Sequence, residues 1–154
     1  MRNMLRMNLL KIAALLCLAV LATPVGEAQA AQEVTIEVDV VSGKKGASGI
    51  DSSAKKHERL LGRLGGYGGW KLTKSFRLKV SEGQTGKQGV GKRGFSAKVL
   101  EVKSGTARVT FVVVDPAGEN HKVTSKLSSG ASTVITAESP DGKGVQVFII
   151  RVRF

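Results

Sequence analysis

The sequence predicts an all-β fold, an antiparallel β-sandwich of about seven strands with one short helix near the mature N-terminus. Two observations predict it. Apolar and polar residues alternate in several short runs, and clusters of turn-forming residues separate these runs at intervals of roughly eight to twelve residues. A helical pattern occurs once, early in the chain, so the sequence lacks the regular alternation of strands and helices that builds a parallel sheet.

The first 30 residues have the composition of a cleavable signal peptide. Cations near Met1 precede an apolar run at Ile12–Ala22, and small residues stand at Ala28 and Ala30, where a signal peptidase requires them. The run has about eleven residues, whereas roughly 20 are needed to span a bilayer. We therefore expect cleavage after Ala30, export to the periplasm or the exterior, and no integral membrane segment afterwards. Cys17 follows a leucine, which is unsuitable for lipid attachment.

Residues 31–154 are expected to form a single β-sandwich domain with an uneven distribution of charge. The chain has 24 Lys and Arg against 12 Asp and Glu, a formal net charge of +12. Residues 44–98 hold 14 of these cations and only three acidic residues, whereas the rest of the domain is nearly balanced. A local excess of this kind predicts a cationic face for an anionic partner. The alternative is a solvated surface that has no partner.

The first predicted elements are a strand and the helix. Residues 34–40 alternate between apolar and polar side chains, which predicts a strand, and a Gly- and Ser-rich turn follows at residues 42–49. Asp51 or Ser52 then caps a short helix that runs to about Leu64.

The remaining elements are predicted to be strands. The apolar residues of 70–80 share one parity, which predicts a long strand with a single apolar face. Residues 81–94 are Gly-rich and basic, and we expect a loop there. A shift of parity at Val99-Leu100 predicts a β-bulge. The later strands are predicted at Phe95–Val102, Ala107–Val114, His121–Leu127, Ser132–Ala137 and Val145–Phe154.

Several short motifs follow one another in a distinctive order: a strand, Gly-Ile-Asp at residues 49–51, a helix with paired leucines, and an aromatic step from Tyr67 to Trp70 into a strand. This order resembles a group of uncharacterised exported bacterial β-rich proteins. Members of that group typically have a signal peptide, a strand, a short helix and a meander that ends in an apolar strand. The resemblance implies export and this architecture, and it implies no particular function. The insertion at Gly83–Gly94 departs from the pattern of the group.

Residues 86–92 have the spacing of a phosphate-binding nucleotide loop, Gly-x4-Gly-Lys. Such a loop continues with Ser or Thr, which binds Mg²⁺, and precedes a helix, but here Arg93 follows and residues 95–99 have a strand pattern. We therefore expect no nucleotide and no cofactor. With Lys87, Lys92 and Arg93, the loop is instead a candidate site for a phosphate or sulfate group. The alternative is a mobile hairpin loop without a ligand.

Tyr67 and Trp70 stand among four glycines and are the only Tyr and Trp of the chain. Tyr67 is a candidate for stacking on a sugar or a base. Trp70 shares its parity with the apolar residues of the strand that follows, so we expect it to pack in the core. In that case Tyr67 covers the corner between the helix and the strand.

The residues that catalysis requires are few. Beyond the predicted cleavage site there is no Cys, and the two histidines, His57 and His121, are far apart in sequence and lack metal-ligand spacing. Cations surround His57, which disfavours a metal ion there, and no Gly-x-Ser-x-Gly nucleophile motif occurs. We therefore expect no catalytic residues, no metal site and no enzymatic activity.

These features predict an exported, non-enzymatic binding module of the cell envelope. The expected partner is an anionic polymer, a lipid head group or an acidic protein. The predicted anion-binding residues are Lys55, Lys56, Arg59 and Arg63 on the helix and Lys87, Lys92 and Arg93 on the loop.

Two other functions are compatible with the sequence. A structural subunit of an envelope assembly would associate through sheet edges at Glu33–Val41 or Val145–Phe154. Apolar residues that alternate up to a terminal Phe154 are also typical of small outer-membrane β-barrels. The strand at residues 132–137 is short for a barrel, however, and one Trp and one Tyr cannot form two aromatic girdles.

Overall fold

The computed structural model describes residues 31–139 and 141–154, and residues 31–154 form one compact unit. The predicted signal peptide, its cleavage site after Ala30 and Cys17 lie outside the described residues. Eight β-strands and one short helical segment make up the described part of the chain. Within that part, no helix is long and apolar enough to cross a membrane.

The strands form two four-stranded sheets that pack face to face, and neighbouring strands are antiparallel throughout. The strands are β1 (Glu33–Lys45), β2 (Tyr67–Ser81), β3 (Thr85–Val90), β4 (Arg93–Lys103), β5 (Thr106–Val114), β6 (Asn120–Ser128), β7 (Ser132–Glu138) and β8 (Gly144–Arg153). Sheet I has the order β2-β1-β8-β7, and sheet II has the order β3-β4-β5-β6. The prediction of an all-β sandwich is confirmed. The two segments predicted as sheet edges, Glu33–Val41 and Val145–Phe154, instead contribute β1 and β8, the central strands of sheet I.

The eighth strand, β3, forms where the sequence predicts a glycine-rich loop. Its six residues pair with β4 in continuous register, and Gly91 in the turn that follows has a φ of +60°. The glycines of this segment serve close packing as well as the turn. A Cβ atom at Gly86 would lie 2.7 Å from Cγ2 of Val80 in β2. Glycine therefore lets β3 approach β2 where the two sheets meet.

The helical segment, residues 52–61, is a 3-10 helix (Ser52–His57) that continues as one α-helical turn, α1 (Glu58–Leu61). Asp51 caps it, because its Oδ1 accepts a hydrogen bond of 2.9 Å from the Ser53 backbone N–H. The predicted cap is thus found, but the segment is mostly 3-10 helix and ends before the residue predicted from the sequence.

The main core lies between the two sheets. Alternate residues of β1, β4, β5 and β8 point into it, and aromatic rings fill its centre. The Phe95 ring stacks on the Phe148 ring of the opposite sheet, with centroids 6.1 Å apart, and Phe76 meets Phe95 edge-on at 5.4 Å. Such aromatic pairs contribute about 0.5–1.5 kcal/mol beyond the area that they bury.

A second core lies on the outer face of sheet I, beneath the helical segment. Ala54 and Leu61 of that segment pack there with Val41, Trp70 and Val147 of the sheet, and all five are buried. The helical segment therefore covers one end of this outer face and leaves polar residues at the other end.

A β-bulge at Thr73 lets β2 contribute to both cores. The register between β2 and β1 shifts at this residue, and Thr73 Oγ1 donates a hydrogen bond of 3.0 Å to the Val40 carbonyl. One extra residue reverses the face to which the strand points its side chains. Trp70 therefore packs in the second core and Phe76 in the main core. The single apolar face predicted for residues 70–80 is in fact divided between the two sides of the sheet.

Candidate functional site

The predicted anion-binding residues do not share one surface. The four on or beside the helical segment, over sheet I, are Lys55, Lys56, Arg59 and Arg63. Lys87 is exposed on the outer face of sheet II, and Lys92 lies in the turn between β3 and β4. The chain passes from sheet I to sheet II between β2 and β3. Residues 44–98 therefore do not form the single cationic face that the charge distribution predicts.

Arg93 lies in the interior and not on an exposed loop. Only 5% of its surface is exposed, and its guanidinium donates hydrogen bonds to Oε1 of Gln146 and to the Glu138 carbonyl. Burial lowers the pKa of Arg93 more than the charge of Asp115 raises it, yet a guanidinium remains protonated in proteins. Arg93 therefore links sheet II to β7 and β8 of sheet I, and it is not placed to bind an external anion.

Lys56 and His57 bind the carboxylate of Asp39 on β1. Lys56 Nζ lies 2.7 Å and His57 Nε2 lies 2.8 Å from Asp39 Oδ2, and the Ser75 hydroxyl donates a hydrogen bond to Oδ1. Burial alone would raise the pKa of Asp39, but the hydrogen bonds from Lys56, Ser75 and His57 outweigh it, and the pKa is lowered. Ser75 and His57 each bind the carboxylate, and neither is placed as the partner of the other in a nucleophile–base pair.

Carboxylates also neutralise the cations at the uncovered end of sheet I. Glu37 lies 2.7 Å from Arg77 and 3.4 Å from Arg153, measured between a carboxylate oxygen and a guanidinium nitrogen. Glu33 lies 3.1 Å from Nζ of Lys79. The acidic residues of β1 thus pair with Arg77, Lys79 and Arg153 of the two neighbouring strands, whereas Arg151 on β8 takes part in no ion pair among the described residues.

The outer face of sheet II carries positive charge that is not paired. Outward positions of its four strands contribute six exposed cations and one exposed acidic residue, Glu101. We define the sheet II cationic face as Lys87, Lys98, Lys103, Arg108, Lys122 and Lys126. Among the described residues, none of these six takes part in an ion pair. Their charge is therefore open to a ligand from solvent.

The strand register sets the spacing of these cations. Arg108 stands between Lys126 on β6 and Glu101 on β4, and a hydrogen bond of 2.8 Å joins the hydroxyls of Thr110 and Thr124 beside them. Like charges that are directly opposite on neighbouring strands destabilise a sheet, so the Arg108–Lys126 pair favours a nearby anion. Neighbouring strands lie about 4.8 Å apart, so the four strands span about 14 Å.

Lys87 is the one member of this face that the sequence identifies as a site residue. Counted along the chain, charge is nearly balanced after residue 98, because acidic residues offset the cations there. In the structure Asp115 and Asp141 lie in turns, whereas Lys122 and Lys126 point outwards from one strand. This face can be recognised from the sequence when charge is combined with strand parity, because the cations occupy the polar positions of predicted strands.

Tyr67 packs against the second core at the corner between the helical segment and β2. Its side chain is half-buried, and its ring centroid lies 6.3 Å from that of Trp70, with the two planes at 53°. Trp70 is only 3% exposed. The predicted packing role of Trp70 agrees with its burial, although the core that it enters is the outer one.

Among the residues that the structure describes, one group of metal-ligand side chains occurs, at the turn between β5 and β6. Ligand atoms of Asp115, Glu119 and His121 lie within 4.8 Å of one another. Oδ1 of Asp115 already accepts hydrogen bonds from the backbone N–H groups of Ala117 and Glu119, at 2.9 and 3.0 Å. The same carboxylate interacts with the positive charge of the buried Arg93, which opposes a metal cation. The turn and Arg93 therefore account for the position of Asp115.

Comparisons of the chain with protein-family models, with curated proteins and with solved structures found no match. A function has to be inferred from the two outer faces themselves. Carboxylates pair with Lys56 over sheet I and with Arg77, Lys79 and Arg153 on its strands, whereas none of the six cations of the sheet II cationic face takes part in an ion pair among the described residues. The sheet II cationic face is therefore the candidate site.

Proposed function

We propose that the protein is an exported, non-enzymatic binding module that holds an extended anionic polymer on the sheet II cationic face. One observation carries the proposal, which is the contrast between the two outer faces. On sheet I, Glu33, Glu37 and Asp39 pair with four of the cations, whereas the outward positions of sheet II present six exposed cations and one acidic residue with no ion pair among the described residues. Unpaired charge of one sign attracts ligands of the other sign.

The shape of the face favours a polymer over a small anion. Each contact between exposed charges contributes only about 0–1 kcal/mol, because water and salt screen it. A small ligand that touches one or two of these cations would bind weakly. A chain with repeated phosphate, sulfate or carboxylate groups contacts several cations at once, and the contributions of these contacts accumulate. A surface that spreads its cations across four strands suits such a ligand.

Sequence features support the exported location. The cationic start, the short apolar run and the small residues at Ala28 and Ala30 are typical of a signal peptide. An exported protein meets the anionic polymers of the cell envelope, and this is the class of partner that we propose. The resemblance to exported bacterial β-rich proteins agrees with this location.

Two matched double variants test which surface binds. Arg108→Gln/Lys126→Gln removes neighbouring members of the sheet II cationic face, and Lys55→Gln/Arg59→Gln removes the same charge from the helical segment. Residues 31–154 are titrated with heparin, as a sulfated polymer, and with polyphosphate. At low salt we expect the sheet II variant to bind about five- to thirtyfold more weakly, because each lost contact contributes about 0.5–1 kcal/mol. We expect the helical variant to change affinity less than about twofold.

Salt and vesicles provide the controls. Binding through exposed charges should weaken steeply as salt is added. A larger loss in the helical variant would place the ligand over sheet I and contradict the proposal, as would an affinity independent of salt. Binding to vesicles that contain phosphatidylglycerol, together with no binding to either polymer, would exclude a polymer as the ligand.

A further inference from the structure

Sheet edges are the places where a β-protein can pair with another chain, and natural sequences obstruct them. Three of the four edge strands in this sandwich are obstructed. β2 has the bulge at Thr73, and β3 is a short strand whose Gly89 carbonyl accepts a hydrogen bond of 2.6 Å from Lys74 Nζ. β6 carries Lys122 and Lys126. Bulges, short strands and lysines all hinder the addition of another strand.

The fourth edge strand, β7, has seven residues and neither a bulge nor a lysine. It contains no Lys, Arg, Gly or Pro, and its register against β8 is continuous. Four of its seven residues are β-branched, which favours an extended and paired conformation. Glu138 at its end is its one charged residue. β7 is therefore the edge that is open to another strand.

Alternate residues of β7 direct their backbone polar groups away from sheet I. The Ser139 N–H donates a hydrogen bond of 2.9 Å to the Gly144 carbonyl just beyond the strand. At the other end, the Val152 N–H donates one of 3.2 Å to the Ala131 carbonyl. Hydrogen-bonded pairs recur at every second residue of an antiparallel ladder, so the odd-numbered residues of β7 bond to β8. The outward N–H and C=O groups belong to Ser132, Val134, Thr136 and Glu138, and of these the Glu138 carbonyl already accepts a hydrogen bond from the Arg93 guanidinium.

We propose that β7 pairs antiparallel with β7 of a second copy of this chain, which joins the two copies of sheet I into one continuous sheet. A two-fold axis at Ile135 sets Val134 opposite the partner's Thr136 and Ser132 opposite the partner's Glu138. In this register all four outward residues lie in hydrogen-bonded pairs, and no charge faces a like charge. The two inner pairs give two bonds each, and in each outer pair the Glu138 N–H donates one to the partner's Ser132 carbonyl, so about six backbone hydrogen bonds cross the interface.

A second copy of this chain fits this edge, because a single two-fold axis places each outward residue of β7 opposite an outward residue of the partner's β7. The side chains beside the axis are apolar or hydroxyl-bearing, and backbone groups supply the hydrogen bonds. Salt screens charges and leaves such pairing largely intact. Association through β7 is therefore independent of ligand binding on sheet II, and it does not rest on the proposed function.

Sedimentation velocity of residues 31–154, over a range of concentrations at low and high salt, tests the pairing. We expect a monomer–dimer equilibrium that persists at high salt. Thr136→Pro removes an outward N–H and no hydrogen bond to β8, so we expect only monomer. Thr136→Val keeps that N–H and should still dimerise. Circular dichroism and thermal unfolding establish that each variant is folded.

Changes at position 132 test the register without altering a backbone group. Ser132→Glu sets like charges opposite the partner's Glu138 twice in each dimer, and Ser132→Lys sets opposite charges there. At low salt we expect the dissociation constant of the dimer to rise about threefold to tenfold in the first variant and to fall by a similar factor in the second. A monomer at every concentration overturns the proposal. So does a folded Thr136→Pro dimer, or a shift of the same sign in both Ser132 variants.

Discussion

The Asp39 carboxylate on β1 binds three side chains, and the two that come from the helical segment join that segment to sheet I. Lys56 and His57 belong to the 3-10 helix and Ser75 to β2, and all three bind a single carboxylate on β1. Hydrogen bonds to an ionised group are stronger than those between neutral groups. Removing the negative charge of Asp39 therefore loosens the segment that covers the second core.

Asp39→Asn is expected to lower the free energy of unfolding by about 1–3 kcal/mol at neutral pH, where the carboxylate is ionised. The folded-state pKa of Asp39 lies below its ordinary value of 3.8. The stabilisation is therefore present above the unfolded pKa and is lost as the pH falls through the folded pKa. Urea unfolding at several pH values should show the difference between wild type and variant shrinking in strong acid.

Glu33→Gln is the control for this experiment. Glu33 makes one exposed ion pair, with Lys79, so its loss should change the free energy of unfolding by less than about 0.5 kcal/mol. If Asp39→Asn had the same effect in strong acid as at neutral pH, the stabilisation would not come from the ionised carboxylate.

Gly43 on β1 lies directly against the Trp70 ring, and an added Cβ atom would overlap three carbons of that ring. Because Trp70 is buried in the second core, the ring cannot move aside freely. We expect Gly43→Ala to lower the free energy of unfolding by about 1–3 kcal/mol. Gly89→Ala is the matched strand variant, since the space around its Cβ position is open, and it should be neutral or stabilising by up to about 1 kcal/mol. Equal losses in the two variants would contradict this account.

At the scale of the elements, alternation predicts strands whose apolar residues serve one core. It also predicts the bulge in β4, where the register against β5 shifts after Val99. The bulge at Thr73 causes no shift of parity in the sequence, because the apolar residues on its two sides keep one parity while they pack in different cores. The sequence does not predict β3, for a different reason. A run of glycines indicates flexibility, and the close approach of Gly86 to Val80 is recognisable only once β2 is in place.

Hydrogen exchange distinguishes β3 from a mobile loop. The Val99 N–H donates a hydrogen bond of 3.2 Å to the carbonyl of the residue before β3, which sets the alternation of the ladder. Gly86 and Gln88 then bond to β4, and Lys87 and Gly89 direct their N–H groups outwards. We expect slow amide exchange at the first two residues and fast exchange at the other two, measured by NMR. Uniformly fast exchange would mean that β3 does not form in solution.

At the scale of the whole molecule, the fold determines which charged residues share a face. The sequence reveals an excess of cations, but a count along the chain adds together side chains that end on different faces. The chain changes sheets between β2 and β3, so neighbours in sequence separate, and cations from β3 to β6 come together. Of the predicted anion-binding residues, Lys87 belongs to the sheet II cationic face. The other members are identified only when strand register is known.

The sheet II cationic face should decrease the stability of the free protein, because six like charges lie near one another with a single acidic residue, Glu101, among them. Arg108→Gln/Lys126→Gln is therefore expected to raise the free energy of unfolding by about 0.3–1 kcal/mol at low salt while it weakens polymer binding. High salt should remove the gain. Arg77→Gln, which breaks the pair with Glu37, should give no gain in thermal unfolding. A loss of stability in the double variant would assign these cations a structural role.

The proposed export makes a prediction about the mature protein. Cleavage after Ala30 would leave a chain that begins at Ala31, just before β1. Intact mass measurement of the protein from the periplasm or the medium should match a chain with this first residue. Ala28→Arg should block processing, because the peptidase accepts small residues at that position. A full-length mass for the exported protein would contradict the predicted cleavage.

β8 is synthesised after all seven other strands, yet it lies in the middle of sheet I between β1 and β7. Its Phe148, Ile150 and Val152 complete the main core. A nascent chain that lacks this strand cannot form the complete main core, so folding is completed only after β8 has been synthesised. Such a delay suits the proposed export, because a polypeptide passes through a translocation channel in the unfolded state.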